Sequence, residues 1–110
     1  MRVLELAPQV YVTGQLFEAD LKLIAKQDVR SIMDNRPSDE ANEAPLSTDL
    51  AKVAEEHGID FVHFPIEPGP ITAEMAEAYA KACEELKRPL LIFGRSAARS
   101  MKIWEMGEGF

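Results

Sequence analysis

Short apolar runs alternate along this chain with longer segments in which apolar residues recur every three or four positions. The first pattern suits a strand and the second suits one buried face of a helix. Residues 3–6 and 10–13 read as strands joined through Ala7-Pro8-Gln9, an opening hairpin or bend that ends at Gly14-Gln15. From 17 to 27, Phe17, Leu21, Ile24 and Ala25 recur at helical spacing, with Glu18 and Asp20 in the first turn where the helix dipole favours acids. A strand over 29–33 then runs into Asp34-Asn35-Arg36-Pro37 and a long aperiodic loop to Leu46. Ser47 or Thr48 is placed to cap a helix with Leu50, Val53 and Ala54 on its apolar face, and Gly58 to stop it. A strand over 60–66 leads into a stiff loop of Pro65, Pro68, Gly69 and Pro70. Thr72 then caps a helix whose face is Met75, Tyr79, Cys83 and Leu86. The continuous apolar run 90–93 marks a strand covered on both sides, and Met101, Ile103 and Trp104 pack a last helix onto the sheet.

Strands alternating with helices predict an α/β fold, a mostly parallel sheet of four to five strands with helices on both faces and right-handed crossovers. The 110 residues are read as a single domain, 1–110, long enough to bury roughly 60 to 70% of the unfolded chain's surface. Ligands of such sheets bind beyond the carboxyl ends of the strands. Three loops are therefore candidates: 34–45, 67–71 and 94–100.

Charge narrows what those loops can meet. Nineteen acidic and twelve basic residues give a net charge of −7, so neither nucleic acid nor an anionic membrane is an expected partner, and any anion site must be local. No window approaches a membrane span, and the acidic residue at position 5 argues against a secretion leader, so a cytoplasmic location is expected. One cysteine excludes an internal disulfide, and with two histidines it offers no metal-ligand spacing; neither a metal nor another cofactor is expected.

The turn Gly94-Arg95-Ser96-Ala97-Ala98-Arg99-Ser100 carries the clearest chemistry. A buried strand entering a helix leaves the first helical amides without partners, and a tetrahedral oxyanion suits that place. Arg95 and Arg99 bracket the turn, and guanidinium groups form paired, charge-assisted bonds to phosphate or sulfate. The plainer alternative is that Gly94 ends a strand, Ser96 caps a helix and both arginines are solvated.

This stretch resembles the active loop of the DUF442 family, the phosphatase-like domain at the front of β-lactamase-hydrolase-like proteins, in which a buried strand leads to Cys-Arg-Ser-Gly-Thr-Arg-Ser. The likeness extends to 10–16 (Val-Tyr-Val-Thr-Gly-Gln-Leu), to Asp34-Asn35-Arg36-Pro37, to 62–66 (Val-His-Phe-Pro-Ile) and to 68–72 (Pro-Gly-Pro-Ile-Thr). The resemblance implies a protein tyrosine phosphatase-like fold, and a related loop spacing in rhodaneses carries sulfur. It makes Arg99 the oxyanion-binding arginine and Ser100 the hydroxyl that steadies a thiolate, while Arg95, Ser96, Ala97 and Ala98 contribute amides. It also implies a link to sulfur metabolism and a metallo-hydrolase partner.

Gly94 departs from that pattern at the position of the family nucleophile. Glycine has nothing to attack with, so a catalytically impaired, pseudophosphatase-like domain that binds a small oxyanion or a phosphorylated or sulfur-containing ligand is the expected function. An active phosphatase or sulfurtransferase, with Gly94 a substitution or another nucleophile in use, is the alternative. An engineered trap would not require Ala97 in place of the loop glycine, which favours natural divergence.

Arg36 is expected either to add a second contact to the anion or to pair with Asp39 or Glu40. A general acid would come from Asp34, Asp39 or Glu40, or from Glu67, with Asp39 and Glu67 the leading candidates. His63 reads as a packed strand residue, His57 as a surface charge and Cys83 as a small buried hydrophobe. Met106 and Phe110, expected to be partly exposed, offer a surface for a homodimer.

Overall fold

A computed structural model describes residues 2–108. Its strands are β1 (Leu4–Ala7), β2 (Val10–Thr13), β3 (Ser31–Asp34), β4 (Asp60–His63) and β5 (Leu90–Phe93). The helices are α1 (Glu18–Ala25), α2 (Ser38–Ala41), α3 (Ser47–Glu56), α4 (Ala73–Glu85) and α5 (Ala97–Gly107). One sheet has the order β1-β2-β5-β3-β4, with β1 antiparallel to β2 and every other pairing parallel. The predicted α/β architecture is the observed one.

β5 lies at the centre of the sheet and is buried on both sides, as its unbroken apolar run requires. Its alternate residues build two separate cores. Leu90 and Ile92 join Tyr79 and Cys83 of α4 and Ile103 of α5 on one face. Leu91 and Phe93 join Leu21 and Ile24 of α1 and Leu50 and Ala54 of α3 on the other.

Several boundaries differ from the expected ones for physical reasons. The strand after Asp60 stops at His63, one residue before Phe64-Pro65; proline has no N–H to give a neighbouring strand. A four-residue helix, α2, sits inside the long loop, too short to show any periodicity. Leu46, not Ser47, is the N-cap of α3, and the Ser47 hydroxyl turns inward instead. Thr72 caps α4 as predicted, its Oγ1 accepting from the Met75 amide at 3.1 Å. Gly58 ends α3 region with a φ of +72°, the left-handed conformation that favours glycine.

Candidate oxyanion site

Four parallel strands end level with one another. Thr13 pairs with Phe93, Phe93 with Asp34, and Asp34 with His63, so the segments that follow all leave from one row. Two of the three predicted loops leave from the adjacent strands β3 and β5, and the third follows β4.

The β3 loop is closed on itself. Asp34, wholly buried, meets the Arg36 guanidinium at 3.0 Å, and Nε of the same arginine donates to both carboxylate oxygens. The remaining guanidinium donors reach the carbonyls of Glu40 and Pro45 and the Ser47 hydroxyl, which itself bonds to Asp34. Each of the three guanidinium nitrogens of Arg36 thus already has a protein acceptor. Burying such a pair is tolerable only because every donor and lone pair nearby is answered.

Asn35 ties this loop to the turn after β5. Its Nδ2 donates to the Phe64 carbonyl, which leaves Oδ1 to accept from the Tyr79 and Ser100 hydroxyls at 2.9 and 2.8 Å. Burial raises the Tyr79 phenol above its ordinary range, so it stays a donor at any ordinary pH. The Ser100 hydroxyl lies 3.7 Å from where a Cβ on Gly94 would stand, and its proton points at Asn35.

The turn itself is left open. Ser96 occupies the N-cap of α5 yet makes no side-chain cap bond, so no side chain answers the amides of the first helical turn. Arg99 donates through one terminal nitrogen to the Glu67 and Gly69 carbonyls at 2.8 and 3.0 Å, which anchors it across the proline-rich loop. Its other guanidinium donors have no partner among the described residues, and no carboxylate meets it there. Gly94, Arg95, Ser96, Arg99 and Ser100 line a depression of about 360 Å³, closed on the far side by Asn35, Arg36, Glu40 and the Pro68-Gly69 corner.

Residues 2–110 match the family described as beta-lactamase hydrolase-like protein, phosphatase-like domain. The chain belongs to that family. A curated beta-lactamase hydrolase-like protein of Agrobacterium fabrum is 23% identical over 108 residues, which cover 98% of this chain and 25% of that protein. The phosphatase-like domain thus spans about a quarter of that relative. Among solved structures, a candidate phosphatase of Neisseria meningitidis is 27% identical with a TM-score of 0.84, covering 94% of this chain and 74% of its own. A DUF442 candidate phosphatase of Shewanella putrefaciens shares the fold at 20% identity and a TM-score of 0.80, over 96% and 69% of the two chains. The architecture is that of protein tyrosine phosphatase-like phosphatases.

In the phosphatase-like domain the predicted site residues fall into three groups. Gly94, Ser96, Arg99 and Ser100 come together at the pocket, with Ala97 and Ala98 opening α5 beside them. Arg95 lines the pocket but is 70% exposed and paired, with Glu40 at 2.9 Å and Glu43 at 3.8 Å. Arg36 borders the pocket with its guanidinium engaged below it, so its partner is Asp34 rather than Asp39 or the Glu40 carboxylate.

The carboxylates expected as general acids lie differently. Asp39 is exposed on α2 and does not line the pocket. Glu67 accepts from the Ser38 hydroxyl and amide, and these bonds hold its carboxyl below the usual carboxylate range. A general acid needs the opposite shift.

His63 donates Nε2 to the Arg36 carbonyl, because a carbonyl can only accept, so that nitrogen is no base. Cys83 is buried in the α4 face and its thiol is pushed up to about 12, chiefly by burial. No cluster of metal-ligating side chains and no helix long and apolar enough to cross a membrane occurs among the described residues. Met106 is 36% exposed, and Phe110 lies outside the described residues.

Sequence reasoning missed Asn35 and Tyr79 as parts of the site's support. They stand 44 residues apart, and nothing local announces a tyrosine hydroxyl reaching from an apolar helix face. The Asp34–Arg36 pair did leave a signal. An Asp at a strand end readily accepts from the backbone amide two residues on, as Asp34 does from Arg36 at 2.9 Å, and that turn brings the arginine side chain beside it.

Proposed function

We propose that this phosphatase-like domain binds a small tetrahedral oxyanion, phosphate or sulfate alone or carried by a larger ligand, and that it does so without covalent chemistry because Gly94 stands where active relatives hold their nucleophile. The observation that carries the reading is the pairing of an uncapped α5 N-terminus with Arg99, the one guanidinium at the pocket that meets no carboxylate among the described residues. Helix amides and a fixed guanidinium bind an oxyanion through charge-assisted bonds worth roughly 1.5 to 3 kcal/mol each.

The missing nucleophile has no substitute in the pocket. The Ser100 proton is donated to Asn35, Ser96 makes no side-chain cap bond and has no hydrogen bond to a base among the described residues, and Nε2 of His63 is a donor. In serine hydrolases the loss of the nucleophile costs on the order of 10⁶ in turnover. The impaired activity expected from Gly94 follows from the same chemistry.

Calorimetric titration with inorganic phosphate, run beside a prolonged assay for hydrolysis of an aryl phosphate, tests both halves. Saturable binding that Arg99→Ala abolishes, with no hydrolysis above background, is the expected outcome. Hydrolysis that disappears in Arg99→Ala would show an active enzyme, and absence of binding would remove the oxyanion reading.

A further inference from the structure

One acid stands among the donors of the oxyanion site. Of the residues that line the depression at the α5 N-terminus, Glu40 alone carries a carboxylate. Three contacts set its position. The Arg36 guanidinium donates to the Glu40 carbonyl at 3.4 Å, the Ser38 amide of the same short helix donates to the Glu67 carboxylate, and Arg95 of the turn meets the Glu40 carboxylate at 2.9 Å. The Glu40 side chain is 22% exposed, against 65% for Glu43, which meets Arg95 at 3.8 Å and does not line the depression.

The pairing with Arg95 does not cancel this charge. One guanidinium is shared by two carboxylates, so the three groups together keep a single negative charge at the wall. A carboxylate has lone pairs for about four bonds, and Arg95 is the one side chain that meets that of Glu40 among the described residues. When ionised it accepts and cannot donate. Toward an oxyanion it therefore acts in two opposite ways: it accepts a bond from an anion that carries a proton, and it repels one that carries none.

We infer that Glu40 is a specificity-determining residue, which admits an oxyanion bearing a proton and turns away one that is fully ionised. The inference rests on the oxyanion reading given above and narrows it. At neutral pH inorganic phosphate keeps at least one proton and sulfate keeps none, so of two tetrahedral anions of similar size the site takes phosphate. Arg99 and the α5 amides read charge and shape, which the two anions share. Glu40 reads the proton.

Calorimetric titrations at neutral pH and constant ionic strength test this by comparing phosphate with sulfate in the wild-type, Glu40→Gln and Glu43→Gln proteins. Both ion pairs with Arg95 reach the surface, and such pairs add little to stability, so the variants keep the fold. The wild type should bind phosphate about tenfold more tightly than sulfate, the low end for a hydrogen bond to a charged group. Glu40→Gln should close most of that gap, chiefly by strengthening sulfate, because the glutamine amide nitrogen donates to an anion without a proton. Glu43→Gln removes an equal charge beside the same arginine but outside the depression, and should keep the preference. Equal or tighter binding of sulfate by the wild type, a preference that survives Glu40→Gln, or one that Glu43→Gln removes as fully would overturn the inference while oxyanion binding stands. If neither anion binds, the oxyanion reading fails and takes this inference with it.

Discussion

The loops that leave β3 and β5 start from adjacent, level strands and each carries arginine, yet they treat their polar groups in opposite ways. After β3, Arg36 is drawn under the surface and every guanidinium nitrogen is answered by Asp34, Ser47 or a carbonyl. After β5, the α5 amides lack a side-chain cap and Arg99 stays partly free. The first arrangement is a brace, and the second leaves the donors that the proposed receptor needs. Residue type and position at a strand end do not distinguish them; the hydrogen-bond partners do.

The contrast breaks most sharply when the arginines are exchanged for a neutral side chain of similar length. Arg36→Met leaves Asp34 buried and unpaired, and the expected loss is about 3 to 5 kcal/mol of unfolding free energy. Arg99→Met touches only loop carbonyls, so its expected effect is below about 0.5 kcal/mol, with loss of anion binding. Urea titrations of both variants decide the matter, and equal destabilisation would erase the distinction between brace and receptor.

A smaller effect tests the link between the loops. Tyr79→Phe removes one of the two donors to Asn35 Oδ1, and denaturant midpoints should record a loss of about 1 kcal/mol. Ser100 would still satisfy that oxygen, which keeps the loss from being larger.

Gly94 offers a test in the opposite direction. Its φ lies outside the left-handed region, and an added Cβ would sit 3.1 Å from the Ser96 carbonyl oxygen, which must yield by a few tenths of an ångström. The lost unfolded-state freedom of Gly94→Ala offsets that crowding, so stability should change by no more than about 0.5 kcal/mol. A loss above about 2 kcal/mol would mean that glycine is required by the backbone and that its presence says nothing about lost chemistry.

The smallest effect is a pH dependence. Glu67 is held below the usual carboxylate range by the Ser38 hydroxyl and amide, so the contact is complete above the ordinary carboxylate pKa and is lost as pH falls through the lowered one. The Ser38 amide resonance should therefore titrate at a pH below 4.5, the ordinary glutamate value. A midpoint at or above that value would contradict the bond.

Much of this was legible in the sequence because it was local. The apolar run of β5, the Thr72 cap and the glycine-arginine turn each state their structure within a few residues, and the strand–helix alternation placed the turn at the carboxyl edge. What was not legible depends on distance. The Ser100 and Tyr79 hydroxyls converge on Asn35 across 65 and 44 residues, and only the fold brings them together. Arg36 illustrates the limit from the other side: its nearest partner is two residues away, but whether a loop arginine is buried or solvated is decided by Ser47 and Pro45, which the chain returns to it later.

The most direct test is an amide-resolved NMR titration of the wild-type and Arg99→Ala proteins with phosphate and then sulfate. The account predicts saturable shifts confined to residues 94–100 in the wild type, small changes at Asp34 to Arg36, and no saturable response in the variant. Amides of the turn that stay still while the anion is added, or shifts that persist without Arg99, would contradict it.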